Sequence, residues 1–215
     1  SITSYLIFKM INADYWRDFY QKNPKFEEAP TPFALWVSEV DKPALAGSAS
    51  RTLADLGAGN CRDSIHFHRQ GYVVTAIDGG ASPAEIVMPF RHYQADFLEF
   101  DLSGQDVIYL RFVIHAMTEL DLDMLLDKLA DLSGEITIYA ETRSTTGIVE
   151  SEKAETFFKS SIGSEHFRML YSRSYLDRKF SKNFDLLISE ESNDFARYKG
   201  DVPYILRYVL KKAAR

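Results

Sequence analysis

The stretch Leu53-Ala54-Asp55-Leu56-Gly57-Ala58-Gly59-Asn60-Cys61-Arg62-Asp63-Ser64 decides the fold. An apolar run ends in a pair of glycines, and a helical pattern follows to about Gln70, with Gly71 placed as its C-cap. Strand, glycine turn and helix in that order bring a pliable backbone and the free N–H groups of a helix start to one point. Asp78 closes the next apolar run, residues 72–77. It lies about 20 residues beyond Asp55, where nucleotide-binding α/β sheets hold ribose hydroxyls. The dinucleotide fingerprint needs a third glycine at position 62, which is Arg62, and no Gly-Lys-Ser or Gly-Lys-Thr is present. That excludes a nicotinamide dinucleotide and a P-loop, and leaves a nucleoside-like ligand.

Working outward, residues 106–109 and 136–140 form two more buried-looking runs. Between them Leu122, Leu125, Leu126, Leu129 and Leu132 recur at helical spacing. Strands alternating with helices predict an α/β fold: a Rossmann-like, mostly parallel sheet with helices on both faces. After Glu150 the pattern weakens to a helix over 175–180 and strands over 184–189 and 204–210, which predict a C-terminal antiparallel β-hairpin. Ahead of Arg51, Pro24, Pro30, Pro32 and Pro43 punctuate short helices, an N-terminal helical cap. The expected layout is one domain: residues 1–50 the cap, 51–145 a cofactor-binding half, 146–215 a substrate-side insert and the hairpin.

Composition narrows the function. The chain has 215 residues, 46% hydrophobic and 26% charged, within the ordinary globular range, so collagen-like, coiled-coil and disordered classes are excluded. Its 25 basic and 31 acidic side chains give a net charge of −6, which argues against nucleic acid as a partner. One cysteine, Cys61, allows no internal disulfide and no cysteine-based zinc site, and suits a cytoplasmic protein. No metal is expected. No run reaches the ~18 apolar residues of a membrane span, and the short apolar patch near Ser1 is too brief for a signal peptide.

The motif Asp55-Leu-Gly-Ala-Gly-Asn-Cys61 resembles the first motif of the class I S-adenosylmethionine-dependent methyltransferases, acid-x-Gly-x-Gly-x-Gly. Residues 59–64 resemble the Gly-Asn-Gly-Arg-Asp-Ser variant of that loop, with Cys61 at the third glycine. The runs Tyr109-Leu-Arg111-Phe112-Val-Ile-His115-Ala and Phe195-Ala-Arg197-Tyr198 resemble a bacterial branch met among cell-surface polysaccharide genes. The likeness spans roughly residues 15–211. It implies S-adenosyl-L-methionine as cofactor and S-adenosyl-L-homocysteine as product. On the same footing it implies that Gly57, Ala58 and Gly59, flanked by Asn60, lie against the methionine and ribose portion. Asp55 would meet the amino-acid end, Asp78 with Gly79 the ribose, and Asp96 the adenine amino group, with Phe97 beside the ring. Arg62 either meets the cofactor carboxylate or lies exposed at the helix start, and Tyr15 and Trp16 either close over the cofactor or pack as core. Asp63 is placed to N-cap the helix. A side chain at Cys61 implies a turn that does not need φ > 0, and its thiol reads as a small buried hydrophobe.

The acceptor side begins where the later strands end. Methyl transfer to a hydroxyl needs a group to take its proton, and His115, just past the strand over 106–109, suits that task. Arg111, four residues earlier, would share a helical face with it and touch either cofactor or acceptor. Glu141 and Arg143 follow the strand over 136–140 as further catalytic candidates, although Glu141 could equally be a structural ion pair. His166, Arg168, Arg197 and Tyr198, with Arg111, His115 and Arg143, are the candidate acceptor-binding residues, since guanidinium forks match carboxylate or phosphate. The expected activity is O-methylation of a small molecule, a sugar or a phosphorylated or carboxylated metabolite. The alternative is a non-catalytic cofactor-binding or assembly module.

Overall fold

The computed structural model describes Tyr15, Asp18 and Lys22, and residues 29–80, 88–148, 153–159, 165–197 and 200–212. At its centre is β1 (Thr52–Leu56), whose residues are buried from Leu53 onward, as a strand covered on both faces must be. β2 (Val73–Asp78) and β4 (Val107–Arg111) flank it, both parallel to it. β3 (Arg91–Gln94) lies outside β2 and β5 (Ile136–Arg143) outside β4. β9 (Ile205–Lys212) runs antiparallel between β5 and β8 (Asp185–Ser192). The order β3-β2-β1-β4-β5-β9-β8 thus contains one reversed strand, and β8–β9 is the C-terminal antiparallel hairpin that the sequence predicts.

Helices cover both faces. α1 (Pro32–Ala46) and α2 (Arg62–Gln70) bury Phe33, Val37 and Phe67 against Leu53, Tyr109, Tyr139 and Val209. α3 (Glu119–Asp131) and α4 (Arg173–Phe180) bury Leu122, Leu125, Leu126, Leu129, Leu176 and Phe180 against Ile108, Ile138 and Leu210. The leucine stripe predicted for α3 is this buried face. Gly71 ends α2 at φ 102°, the C-cap the sequence predicts. The N-terminal region is helical as the sequence predicts: Tyr15, Asp18 and Lys22 are helical ahead of α1, and Pro24 lies outside the described residues. Pro32 opens α1, where its missing N–H costs nothing, and Pro43 sits inside its last turns.

Two features differ from the expected element list. β3 is short and largely exposed, so it carries no apolar period. β6 (Lys153–Lys159) and β7 (Glu165–Tyr171) form a separate antiparallel pair inserted between β5 and α4. That pair joins the sheet's carboxyl edge through a bridge between Ser144 and Tyr171, with the Thr145 N–H donating to the Tyr171 carbonyl at 3.2 Å. Among the described residues no helix is long and apolar enough to cross a membrane.

Candidate active site

The strand order reverses between β1 and β4, where open α/β sheets bind ligands. The chain leaving β1 turns hard: the Gly57 and Ala58 N–H groups both donate to the Ile77 carbonyl, at 2.8 and 3.1 Å. Gly57 has φ 76°, and a Cβ there would come within 2.6 Å of Val113 Cγ2, so glycine is required on both counts. The Gly59 N–H donates to Asp78 Oδ2 at 2.9 Å, and the Gly80 N–H to Asp78 Oδ1 at 2.8 Å. Asp78 therefore sits at the mouth of the glycine turn, held by main-chain donors.

Two expectations for this loop are corrected. Cys61 has φ 62°, a left-handed residue, so the turn does demand positive φ, and a side chain is accommodated there at some strain. Its thiol is the buried hydrophobe expected: burial first, then Asp55 and Asp78, push its pKa far above the ordinary range. Asp63 does not cap α2. It accepts from the Thr31 N–H (2.8 Å), the Thr31 hydroxyl (2.8 Å) and the Tyr109 hydroxyl (2.7 Å), tying the start of α1 to α2 and β4. Asn60 supplies the local turn bond instead, its Oδ1 accepting from the Arg62 N–H at 3.3 Å.

Asp55 is 3% exposed, and its Oδ2 accepts from the Ser64 hydroxyl at 2.6 Å. Desolvation raises its carboxyl pKa to about 8; Ser64 and Arg111 oppose the shift, while Asp63 and Asp78 add to it. Beyond β3, Asp96 Oδ1 accepts from the Leu98 N–H at 2.9 Å, an Asx turn. Lys128 of α3 fastens that loop, its ammonium donating to the carbonyls of Phe97, Leu98 and Phe100, and Phe97 packs against the apolar core.

On the β5 side, Arg111 ends β4 rather than lying on a helix with His115. Its Nε donates to Glu141 Oε1 at 3.3 Å and its guanidinium stacks on Phe112 at 4.1 Å. Glu141 Oε2 accepts from Arg207 Nε at 2.8 Å, so the carboxylate that the sequence pairs with Arg143 is shared by Arg111 and Arg207. Burial raises its pKa against the pull of both cations. Phe112, at φ 57°, donates its N–H to the Glu141 carbonyl and turns the chain into the 3₁₀ turn Ile114–Ala116. There His115 is buried, and its Nδ1 accepts from the Arg143 N–H at 3.2 Å beside Thr142 Oγ1 at 3.2 Å. A main-chain N–H can only donate, so the proton of the neutral ring is on Nε2.

Arg143 Nη2 donates to Asp201 Oδ2 at 2.6 Å, and its Nε is buried without a hydrogen-bond partner. Arg168, on β7 and 7% exposed, lies in the same field. Desolvation and then Arg143 push its pKa down to about 10, with Asp201 and Tyr15 opposing. Burial raises the Tyr15 pKa, and the Arg168 cation opposes that rise.

The sequence matches no family model and no curated protein. Solved structures do match in fold. A methyltransferase from Methanosarcina mazei superposes with a TM-score of 0.64 at 11% identity, over 80% of this chain and 98% of that one. The 1,6-didemethyltoxoflavin-N1-methyltransferase of Burkholderia thailandensis, solved with its substrate and S-adenosylhomocysteine, gives 0.62 at 17% identity, over 84% and 78%. The glycopeptide N-methyltransferase MtfA, complexed with S-adenosyl-L-methionine, gives 0.56 at 17%, over 84% and 94%. The chain has the class I methyltransferase fold.

Within that fold, the structure brings Gly57, Ala58, Gly59, Asp55 and Asp78 together at the switch point, and places Asp96 and Phe97 beyond the neighbouring strand. It brings His115, Arg143 and Arg168 to the end of β5. Arg197 is exposed and paired with Asp194 three residues away, a surface contact. The backbone of His166 lies in β7 opposite Phe158, and Trp16 and Tyr198 fall outside the described residues. Thr142 and Asp201, which sequence reasoning missed, join the site. Thr142 precedes a named candidate and is legible by adjacency, whereas Asp201 reaches Arg143 across 58 residues.

Proposed function

We propose that the chain is an S-adenosyl-L-methionine-dependent methyltransferase that acts on a small-molecule acceptor and releases S-adenosyl-L-homocysteine. One observation carries this reading: three carboxylates, Asp55, Asp78 and Asp96, stand around the glycine turn and the adjoining strand ends. The cofactor presents an ammonium, a ribose diol and an adenine amino group, all donors, and carboxylates are the acceptors that suit them. The residues present fit the group. Asp55, protonated in the free chain below about pH 8, would release its proton as it receives the ammonium. Asp78 would take the diol and Asp96 the adenine amino group, with the backbone of residues 57–59 close against the ligand.

When bound, the cofactor supplies an electrophilic methyl group on a sulfonium, open to in-line displacement. The chain's own residues then align the acceptor atom and handle its proton. The acceptor class we favour is a hydroxyl of a sugar or of a phosphorylated or carboxylated metabolite, made in the cytoplasm for cell-surface polysaccharide. For such an acceptor His115 would be the base, which requires its Nδ1 contact with the Arg143 N–H to give way and the ring proton to move. The tautomer implied by the Arg143 N–H bond to Nδ1 favours a second reading, an amine acceptor, in which the Nε2–H orients the acceptor and the proton leaves to water after transfer. Glu141, with both oxygens held by arginines, fixes the end of β5 rather than exchanging protons.

Calorimetry with S-adenosyl-L-methionine tests the cofactor claim. Saturable binding is expected, weakened at least several-fold by Asp78→Ala, and no binding at millimolar concentration would sink it. With an acceptor found by screening sugars, phosphorylated metabolites and amines, His115→Ala separates the two acceptor readings. A fall of ~10²–10⁴-fold in turnover marks a general base, and a loss under ~10-fold marks an orienting donor.

A further inference from the structure

We propose that Arg143 and Arg168 form an oxyanion subsite that binds a carboxylate or phosphate group of the methyl acceptor, with Asp201 as its internal competitor. The identity of that ligand as the acceptor rests on the methyl-transfer reading; the subsite itself rests on geometry. In a guanidinium, Nε and the adjacent Nη share one edge, and a planar oxyanion takes both in parallel. Asp201 fills half of that edge on Arg143: its Oδ2 is 2.6 Å from Nη2, while Nε is buried and has no partner. A buried N–H left unmade in a folded protein marks a place for a ligand or a cost without return.

The charges are unevenly placed as well. The Arg143 side chain is 17% exposed and Arg168 is sunk still deeper, whereas the Asp201 side chain that answers them is 37% exposed. The carboxylate of the Arg143–Asp201 pair thus lies toward the surface, and the Arg143 Nε lies on its buried side. Desolvation and Arg143 both destabilise the Arg168 cation, a strain that an incoming anion relieves. Asp201 is held at the rim by its neighbour: the Ser144 N–H donates to the Tyr204 carbonyl at 3.0 Å and docks the short segment 201–204 on the end of β5. The subsite adjoins the reacting centre, because the Arg143 N–H is the donor to His115.

The test is titration of the full chain with inorganic phosphate and, separately, malonate. Isothermal calorimetry would be run at ionic strength matched with sodium chloride, with S-adenosyl-L-methionine titrated in parallel. Saturable binding of at least one oxyanion is expected, with the stronger of the two naming the acceptor's anionic group. Arg143→Gln or Arg168→Gln should weaken it by ~10-fold or more, and Arg143→Lys, which keeps the charge and loses the fork, by several-fold. Asp201→Asn, a change at the rim that leaves the fold intact, should tighten it several-fold. No oxyanion binding beyond the chloride control would overturn the proposal, as would Arg143→Lys and Asp201→Asn both binding like the wild type. Cofactor binding without oxyanion binding removes the subsite and leaves the methyl-transfer reading. Oxyanion binding without cofactor binding does the reverse.

Discussion

The two faces of the sheet are made from alternate residues of the same strands, yet they are different materials. On β4, Ile108 and Leu110 point to the layer of α3 and α4, where most buried side chains are aliphatic, with Met117, Met169, Phe180, Phe184, Tyr171 and Tyr208 among them. Tyr109 and Arg111, their neighbours, point to the side of α1 and α2, where polar groups thread the core. Asp41 accepts from the hydroxyls of Tyr72 (2.8 Å) and Tyr139 (2.7 Å) and from Nε and Nη2 of Arg51 (2.6 and 2.7 Å). Asp63 holds Thr31 and Tyr109, and Glu141 holds Arg111 and Arg207. Non-directional burial supplies stability on the first face. Directional bonds on the second fix where the N-terminal helix, the glycine turn and the end of β5 stand relative to one another, which is the side a ligand site needs accurate.

The sharpest way to break this contrast is to remove one partner of the buried ion triplet. Arg207→Met should cost about 3–5 kcal/mol in urea unfolding, because Glu141 loses its closer cation, and adding Glu141→Gln should restore part of the loss. A cost under ~1 kcal/mol would show that the polar face is held by packing alone. Next in size is a pH effect confined to the polar face. Asp55 titrates near 8 in the folded chain and near its ordinary value of about 3.9 when unfolded. A raised carboxyl pKa contributes stability that is full below the unfolded value and is lost as pH rises through the folded one. Stability should therefore fall by on the order of 3 kcal/mol between pH 5 and pH 8, and Asp55→Asn should flatten that part of the profile. If the two profiles coincide, the carboxyl is already ionised and the face is not proton-linked there. The smallest effects compare adjacent residues of β4. Tyr109→Phe should cost about 1–3 kcal/mol by leaving Asp63 short of a donor, against about 0.5–1.5 kcal/mol for Ile108→Val on the apolar face. Equal costs would erase the distinction at its most local.

The half of the fold around Gly57 was legible because its signals are local. A buried run, a glycine turn and a capped helix occupy consecutive residues, and Asp78 follows at a spacing fixed by one crossover. The leucine stripe of α3 and the final hairpin were legible for the same reason. β3 escaped because an exposed edge strand of four residues carries no period, and β6–β7 because they lie outside the alternation that defines the sheet. At the site, residue types were readable and partnerships were not. Glu141 pairs with Arg207 across 66 residues and not with its sequence neighbour Arg143, and Asp63 bonds to Thr31 across 32 instead of capping its own helix. Cys61 misled for a physical reason: a cysteine is an unusual occupant of a left-handed position, yet the surrounding turn imposes it.

One peptide unit at the end of β5 now has a wider meaning. The N–H of Arg143 holds the His115 ring while the side chain of the same residue holds Asp201. The span between imidazole and guanidinium is therefore set by the covalent geometry of a single residue and varies only with its rotamer. If the proposed subsite holds the acceptor and His115 keeps its bond to the Arg143 N–H, the atom presented to the cofactor is the one that lies that far along the acceptor. Regioselectivity, on this arrangement, is a measurement of length, and a Lys at position 143 would blur the scale as well as weaken the grip.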